Sequence, residues 1–454
     1  MPAGVSWKVD YQTEYDQMRD EGYDVSSMPR AIDRPLSHLT QSRFDGDEAL
    51  WEEAYHRLVA LKANGLRPDF PYAEPWEYDR IIALADVPPE VVPVSGAEYE
   101  DRVRGAWFGR CAAVILGKPL EMGLDRLEVR RYLESVGQYP LDDWVEPRSE
   151  ALGMTLREDC LPSSRGHISY VQSDDDVHYT ICSLLLAEQH GPAFTRWDAA
   201  QNMLDNITYN WVWTADKVLY QQLVACDSEA EYRRRYGSVP ASGNPWRESM
   251  CPQLKSDFWG YITPGEMRRG SAFIYRLGGL SAVKNGLYGG MFMQGCVSAA
   301  LTENPDVHTI LRGGLCNIPR TCRLYEAVCR VIDWHARLPD WTQVCDRIYE
   351  TYGHWYFAGA INNICFVVLA LLEGKLDFGR TIATAVMCGT DTDCNSGNAG
   401  SIVAAAVGWR GLDKRWVDPL NDSVHSAVAG FGYGSISDLV ERTLRVRRAW
   451  EGGA

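Results

Sequence analysis

From Ser95 onward, apolar residues return at helical spacing over 177–188, 199–225, 271–302, 323–336, 341–348, 358–373, 380–388 and 397–408. The strict alternation of a half-buried strand is scarce. A chain patterned this way has to bury helix against helix, so the expected class is all-α. Ser95, three residues ahead of Glu98, makes a capping-box start for the first long helix, and Pro88, Pro89 and Pro93 mark a boundary just before it. We therefore divide the chain into an N-terminal helical extension or lid, 1–95, and a main helical domain, 96–454. The extension is rich in Asp, Glu, Tyr and Trp, carries one helix over 47–64, and is then punctuated by Pro68, Pro71 and Pro75.

Within the helix from Glu98, Gly105, Gly109, Ala113 and Gly117 recur every four residues, a ridge that lets another helix approach closely. The segment then breaks at Gly117-Lys118-Pro119-Leu120-Glu121, presenting Glu121 on a loop. Two acidic clusters follow, Ser173-Asp174-Asp175-Asp176 and Gly389-Thr390-Asp391-Thr392-Asp393, each opening an apolar helix. The first helix stops at Gly191; the second, Ala399 to Ala406, is so small and apolar that it must be packed on nearly every side. N-terminal capping explains one Asp per helix, not five. Like charges beside an apolar core need neutralising, and an oxygen-rich set without thiolate suits Mg²⁺, Mn²⁺ or Ca²⁺.

The net charge is −16 and no basic stripe appears, which argues against nucleic acid or an anionic membrane as partner. The N-terminus lacks an apolar signal region, and the longest apolar run, Ile364 to Leu372, is too short for a bilayer. The expectation is a cytoplasmic protein, with its oligomeric state open. Thirteen cysteines without a CxxC pair read as reduced core residues. His178 is expected on an exposed helix position, Trp246 as a surface anchor, and His354, Asn362 and Asn363 as structural groups.

Taken in order, the early helix Arg102 to Gly109 with Gly117 to Glu121, the acidic cluster before a helix, and Gly-x-Asp-Thr-Asp before a helix of small residues resemble the ADP-ribosylglycohydrolase family. The likeness covers about 99–445 and extends to Pro264-Gly265, Asn285 to Met291 and Asn304-Pro305-Asp306. It implies a compact multi-helix fold and a pair of Mg²⁺ or Mn²⁺ ions that bind ribose hydroxyls and the attacking water. By carry-over, Asp391 and Asp393 are metal ligands. In the first cluster, aligning Tyr179-Thr180 with the family's Met-Thr selects Asp175-Asp176, and aligning Ser173 with its Thr selects Asp174-Asp175; the first register is preferred. Glu121 matches the family's gating glutamate. The stretch Asn285 to Met291 is read as a loop that cradles phosphate or ribose through backbone N–H groups, with Asn285, Gly286, Gly289 and Gly290 as substrate-binding residues.

Cys394 departs from the pattern, standing where members carry a Thr ligand, and this puts one of the two ions in question. Ala113-Val114 replace a common Gly-Asp, and Phe292 follows Met291 where some members have Arg, leaving fewer polar groups for phosphates. The activity implied is metal-dependent hydrolysis of an N-ribosyl bond, on an ADP-ribosylated substrate or a small nucleoside- or nucleotide-like metabolite. Glu121, Asp391 and Asp175 are the catalytic candidates, with Asp391 or Asp175 as ionised base. A non-catalytic ADP-ribose-binding or structural relative is the alternative.

Overall fold

Three helices are apolar or small around their full circumference: Lys284–Ala300, Ala360–Gly374 and Thr392–Val407. A helix without a polar face has to be enclosed, and in the computed structural model these three form the centre of the molecule, with nearly every residue buried. The structure describes residues 6–31, 47–121, 124–237 and 239–451. Among these, strand is confined to two antiparallel pairs of two residues each, Arg148–Ser149 with Met154–Thr155 and Val424–His425 with Tyr433–Gly434. The fold is all-α.

The small-residue ridge does what its spacing dictates. Helix Gly96–Gly117 runs antiparallel to Thr392–Val407 at a distance only glycine permits: a Cβ on Gly105 would lie 2.6 Å from the Gly408 carbonyl carbon, and one on Gly117 would lie 2.5 Å from Asp393 Cα. Overpacking at such points costs roughly 1–3 kcal/mol, which outweighs the helix-propensity cost of glycine, about 1 kcal/mol. The helix begins at Gly96 as expected, but without the capping box. Ser95 makes no side-chain cap, and Glu98 instead pairs with Arg102 over 2.7 Å.

Two expected continuous helices are interrupted. The run 199–225 forms Arg196–Asn206 and Thr214–Val224, separated by extended residues and the short turn Tyr209–Trp211. The run 271–302 forms Met267–Gly278 and Lys284–Ala300, because Gly278-Gly279 ends the first and Val283 is extended.

In the N-terminal segment, Trp7–Asp20 and Glu48–Ala60 share a small core of Tyr11, Met18, Val25 and Leu58. The segment is held to the main body by buried charge. Arg247 donates to Glu21 through Nε (2.9 Å) and Nη2 (2.7 Å) and to Glu14 through Nη1 (2.6 Å). Arg323 donates to Glu74 over 2.7 Å and to Glu248 over 2.6 Å. Removing one partner of such a pair leaves the other charged and unsolvated, a cost of about 3–5 kcal/mol.

Candidate functional site

The antiparallel contact fixes where the motifs meet. Thr392 Oγ1 donates to the Gly117 carbonyl (2.8 Å) and Ser396 Oγ to the Ala113 carbonyl (2.7 Å), so the end of the first helix abuts the start of the second. The short turn Lys118–Leu120 then carries Lys118 and Glu121 across the helix starts at Asp175–His190 and Thr392–Val407.

The two helix starts differ. Asp174 caps its helix, accepting the Asp176 N–H over 2.9 Å, and also pairs with Lys118. Asp391 stands at the corresponding place but caps nothing: its Oδ1 is buried and has no hydrogen-bond partner among the described residues. Capping therefore accounts for Asp174 and fails for Asp391. The turn that presents Asp391 is strained. Thr390, β-branched, adopts φ +64°, held by its N–H to the Leu124 carbonyl (2.7 Å) and its hydroxyl to Asn363 Oδ1 (3.1 Å).

Ligand atoms of Glu121, Asp391 and Asp393 lie within 4.8 Å of one another, as do those of Asp174, Asp175 and Asp176, and those of Asp176, Asp393 and Cys394. Glu121, Asp174, Asp175, Asp176 and Asp391 open onto a cavity of about 830 Å³. Tyr179, Trp211, Trp213 and Phe357 also line it.

Burial, followed by the charge of neighbouring carboxylates, pushes Glu121, Asp175, Asp176 and Asp391 well above the ordinary carboxylate range. The same causes raise Asp393 to about 6. Lys118 and Arg110 do not offset so many acids, so without a further cation these carboxyls are biased toward their protonated forms, whereas the ionised carboxylates expected from the sequence are those beside bound cations. Against the burial that would lower it, Asp174 and Asp393 hold the Lys118 ammonium above its ordinary value.

An orphaned buried carboxylate oxygen, an all-oxygen donor set and an excess of negative charge fit a hard divalent cation. Glu121, Asp391, Asp393 and Asp175 are the residues free to hold one. Asp176 is already engaged: Arg110 donates to its carbonyl (2.7 Å) and carboxylate (3.2 Å), and the Cys394 thiol donates to Oδ2 over 2.8 Å. Burial and the adjacent aspartates raise the Cys394 thiol well above its usual pKa, so it serves as a hydrogen-bond donor, not a thiolate ligand.

Other expected residues fall elsewhere. Asn285 to Met291 is not a loop but the first turns of helix Lys284–Ala300, buried and away from the cavity. Asn285 bonds to Glu74 (2.8 Å) and Glu248 (3.2 Å). Gly286 and Gly290 admit close packing, since a Cβ on either would lie 2.7 Å from the carbonyl of Arg247 or Pro252, and Gly289 faces Ile364. The substrate-binding assignment of these four residues is therefore corrected. His178 is buried, accepting the Ala427 N–H over 3.0 Å, and burial lowers its pKa to about 4. Trp246 is likewise buried, edge-on to Tyr356. None of the described residues of 1–95 lines the cavity.

Sequence reasoning missed Arg110, its second partner Asp257 (2.9 Å), Lys118, Arg157 and the aromatic wall. One signal was present: an arginine inside an apolar, glycine-ridged helix needs a buried counter-charge.

Comparison with known proteins gives the following. The family model described as ADP-ribosylglycohydrolase matches residues 95–452. Among solved structures, one similar chain comes from an ADP-ribosylglycohydrolase-related protein complex; it is 15% identical, the match covers 78% of this chain and 99% of that one, and the TM-score is 0.42. No curated protein matches the sequence.

Proposed function

Because the chain belongs to the ADP-ribosylglycohydrolase family, we propose that it is a divalent-metal-dependent hydrolase cleaving the N-glycosidic bond of a riboside. The observation that carries this reading is Asp391 Oδ1, buried without a partner among the described residues, where Glu121 and Asp393 converge on it beside a large cavity. When bound, Mg²⁺ or Mn²⁺ supplies positive charge that orients ribose hydroxyls and stabilises the developing charge.

The chain's own residues divide the remaining work. Asp391 and Asp175, both on the cavity wall, are the proton acceptors for the attacking water. Glu121 sits at the rim, where Arg157 pairs with it over 3.4 Å and restrains its position. Lys118 fixes Asp174, and Arg110 with Cys394 fixes Asp176, so the acidic floor keeps one geometry. The aromatic side chains lining the cavity, Tyr179, Trp211, Trp213 and Phe357, limit the water around a bound ligand.

A binding-only relative is the second reading. It is favoured by the two carboxylates, Asp174 and Asp176, that protein groups already engage. Mass-spectrometric detection of products, with Mg²⁺, Mn²⁺ or EDTA, tests both readings against ADP-ribosylarginine, ADP-ribosylserine, NAD and nucleosides. Metal-dependent release of a ribose-containing product that Asp391→Asn abolishes supports hydrolysis. Metal and ligand binding without turnover supports the second reading.

A further inference from the structure

Asn363 lies fully buried in the first turn of helix Ala360–Gly374, and every hydrogen-bonding position of its amide is taken. Its Nδ2 donates to the carbonyls of Phe357 (2.5 Å) and Gly359 (2.8 Å). Carbonyls only accept, so these two bonds fix which end of the amide is nitrogen. The other end, Oδ1, accepts from Asn395 Nδ2 (2.8 Å) and from the Thr390 hydroxyl (3.1 Å), which also lies 2.6 Å from the Gly389 carbonyl. Among side chains of this length, the Asn amide alone supplies two donors and two acceptors: Asp lacks the donors and Leu lacks both.

The four partners belong to two segments that reach the cavity. Thr390 and Asn395 bracket Asp391, one residue before it and four after, and Asp391 lines the cavity. Phe357 and Ala358 line it too, from the segment between helices Trp341–Tyr352 and Ala360–Gly374. Asp391 needs an outside hold, because it caps nothing and its Oδ1 has no partner among the described residues. The Thr390 before it keeps φ +64°, a conformation that a β-branched residue retains only where its surroundings enforce it. The Leu124 carbonyl holds the Thr390 N–H (2.7 Å), and Asn395 reaches back through its own N–H to the Asp391 carbonyl (3.1 Å). Asn363 is the side chain that ties these contacts to the Phe357 segment.

Resting on the reading that Asp391 holds a divalent ion, we propose that Asn363 is a positioning residue. It keeps Asp391 aimed into the cavity before an ion arrives, and it couples ion binding to the order of the Phe357 segment. Without the amide, Thr390 is free to leave its strained conformation, and part of the ion's binding energy goes into restoring the turn. Groups that hydrogen-bond around a metal ligand typically set affinity by about 10–100-fold.

Calorimetric titration of the metal-free chain with Mn²⁺ is the test. Asn363→Ala is expected to weaken Mn²⁺ binding about 10-fold, and Thr390→Val, which removes only the hydroxyl, about 3-fold. The double variant is expected to stay within about 2-fold of Asn363→Ala, since both changes act through one set of bonds. The control is Asn362→Ala: Asn362 donates to the Tyr356 carbonyl (3.3 Å) in the same segment, and its removal is expected to leave Mn²⁺ affinity unchanged. Hydrogen exchange supplies a readout that lost stability alone would not move. At saturating Mn²⁺ the amides of 355–359 are expected to slow in the parent and to stay unchanged in Asn363→Ala. Unaltered affinity in Asn363→Ala, or an equal loss in Asn362→Ala, overturns the inference and leaves the hydrolase reading standing. Should Asn363→Ala fail to fold, Thr390→Val decides, weakened binding supporting the inference and unchanged binding overturning it. A parent chain that binds neither Mn²⁺ nor Mg²⁺ would count against the hydrolase reading itself and remove this inference with it.

Discussion

Replacing Asp393 with Asn should make the protein more stable and less useful. Asp393 is 2% exposed, and burial with its acidic neighbours raises its pKa from 3.8 to about 6. A carboxyl whose folded pKa lies above its unfolded value binds its proton more tightly in the folded state. It therefore costs nothing below about pH 4, and its full cost is present above about pH 6. At about 1.36 kcal/mol per pKa unit, the two-unit rise is a penalty of about 3 kcal/mol at pH 8. Asn is exempt, and its Oδ1 can keep the hydrogen bond that Asp393 accepts from the Cys394 N–H over 2.9 Å. With an unfolding entropy of about 2.1 cal/mol/K per residue, a chain of this length converts 3 kcal/mol into about 3 °C. The assay is thermal unfolding in EDTA at pH 4 and pH 8. Asp393→Asn should melt about 3 °C above the parent at pH 8 and within about 1 °C of it at pH 4. In Mg²⁺ the order should reverse, since only the parent gains from the ion. A variant less stable than the parent in EDTA at pH 8 would show that Lys118 already offsets this carboxylate, and the reasoning would fail.

Other consequences are open to direct measurement. Cys394→Ser preserves a donor to Asp176 and should keep turnover within about 3-fold, whereas Cys394→Ala should lower it further; iodoacetamide should leave Cys394 unmodified in the native protein, as peptide mass spectrometry can check. Arg247→Met leaves Glu14 only Lys62 (2.8 Å) and Glu21 only Lys284 (3.4 Å) as ion-pair partners and should cost up to about 3 kcal/mol by chemical denaturation, with limited proteolysis cutting first between the N-terminal segment and the main body. Gly117→Ala should cost about 1–3 kcal/mol and, by displacing Asp393, reduce turnover at least about 10-fold.

The helical class was legible because the main body repeats its apolar residues at one period. The break between Asn206 and Thr214 was not, because Trp211 and Trp213 look as apolar as core residues although they face a cavity. The acidic clusters stood out because charge beside an apolar helix is costly. Their partners Arg110 and Lys118 did not, since a pair formed across more than 50 residues leaves no local pattern. Asn285 to Met291 misled for a physical reason: glycine serves tight turns and tight helix packing equally well, and here the neighbouring carbonyls of Arg247 and Pro252 demand the second use. The buried pairing of Glu14 and Glu21 with Arg247 was invisible for the same reason as Lys118.

The glycine-lined contact between Gly96–Gly117 and Thr392–Val407 joins residues 275 positions apart at the Thr392–Gly117 hydrogen bond. On a ribosome, the first of these helices emerges long before the second exists. Its small-residue groove then stays open while some 270 further residues are added, and contacts of such long range form slowly. A product truncated before Asp391 lacks part of the acidic floor, because Asp391, Asp393 and Cys394 arrive only with the start of the second helix. The acidic site is thus assembled only after both sides of that long-range contact have been made.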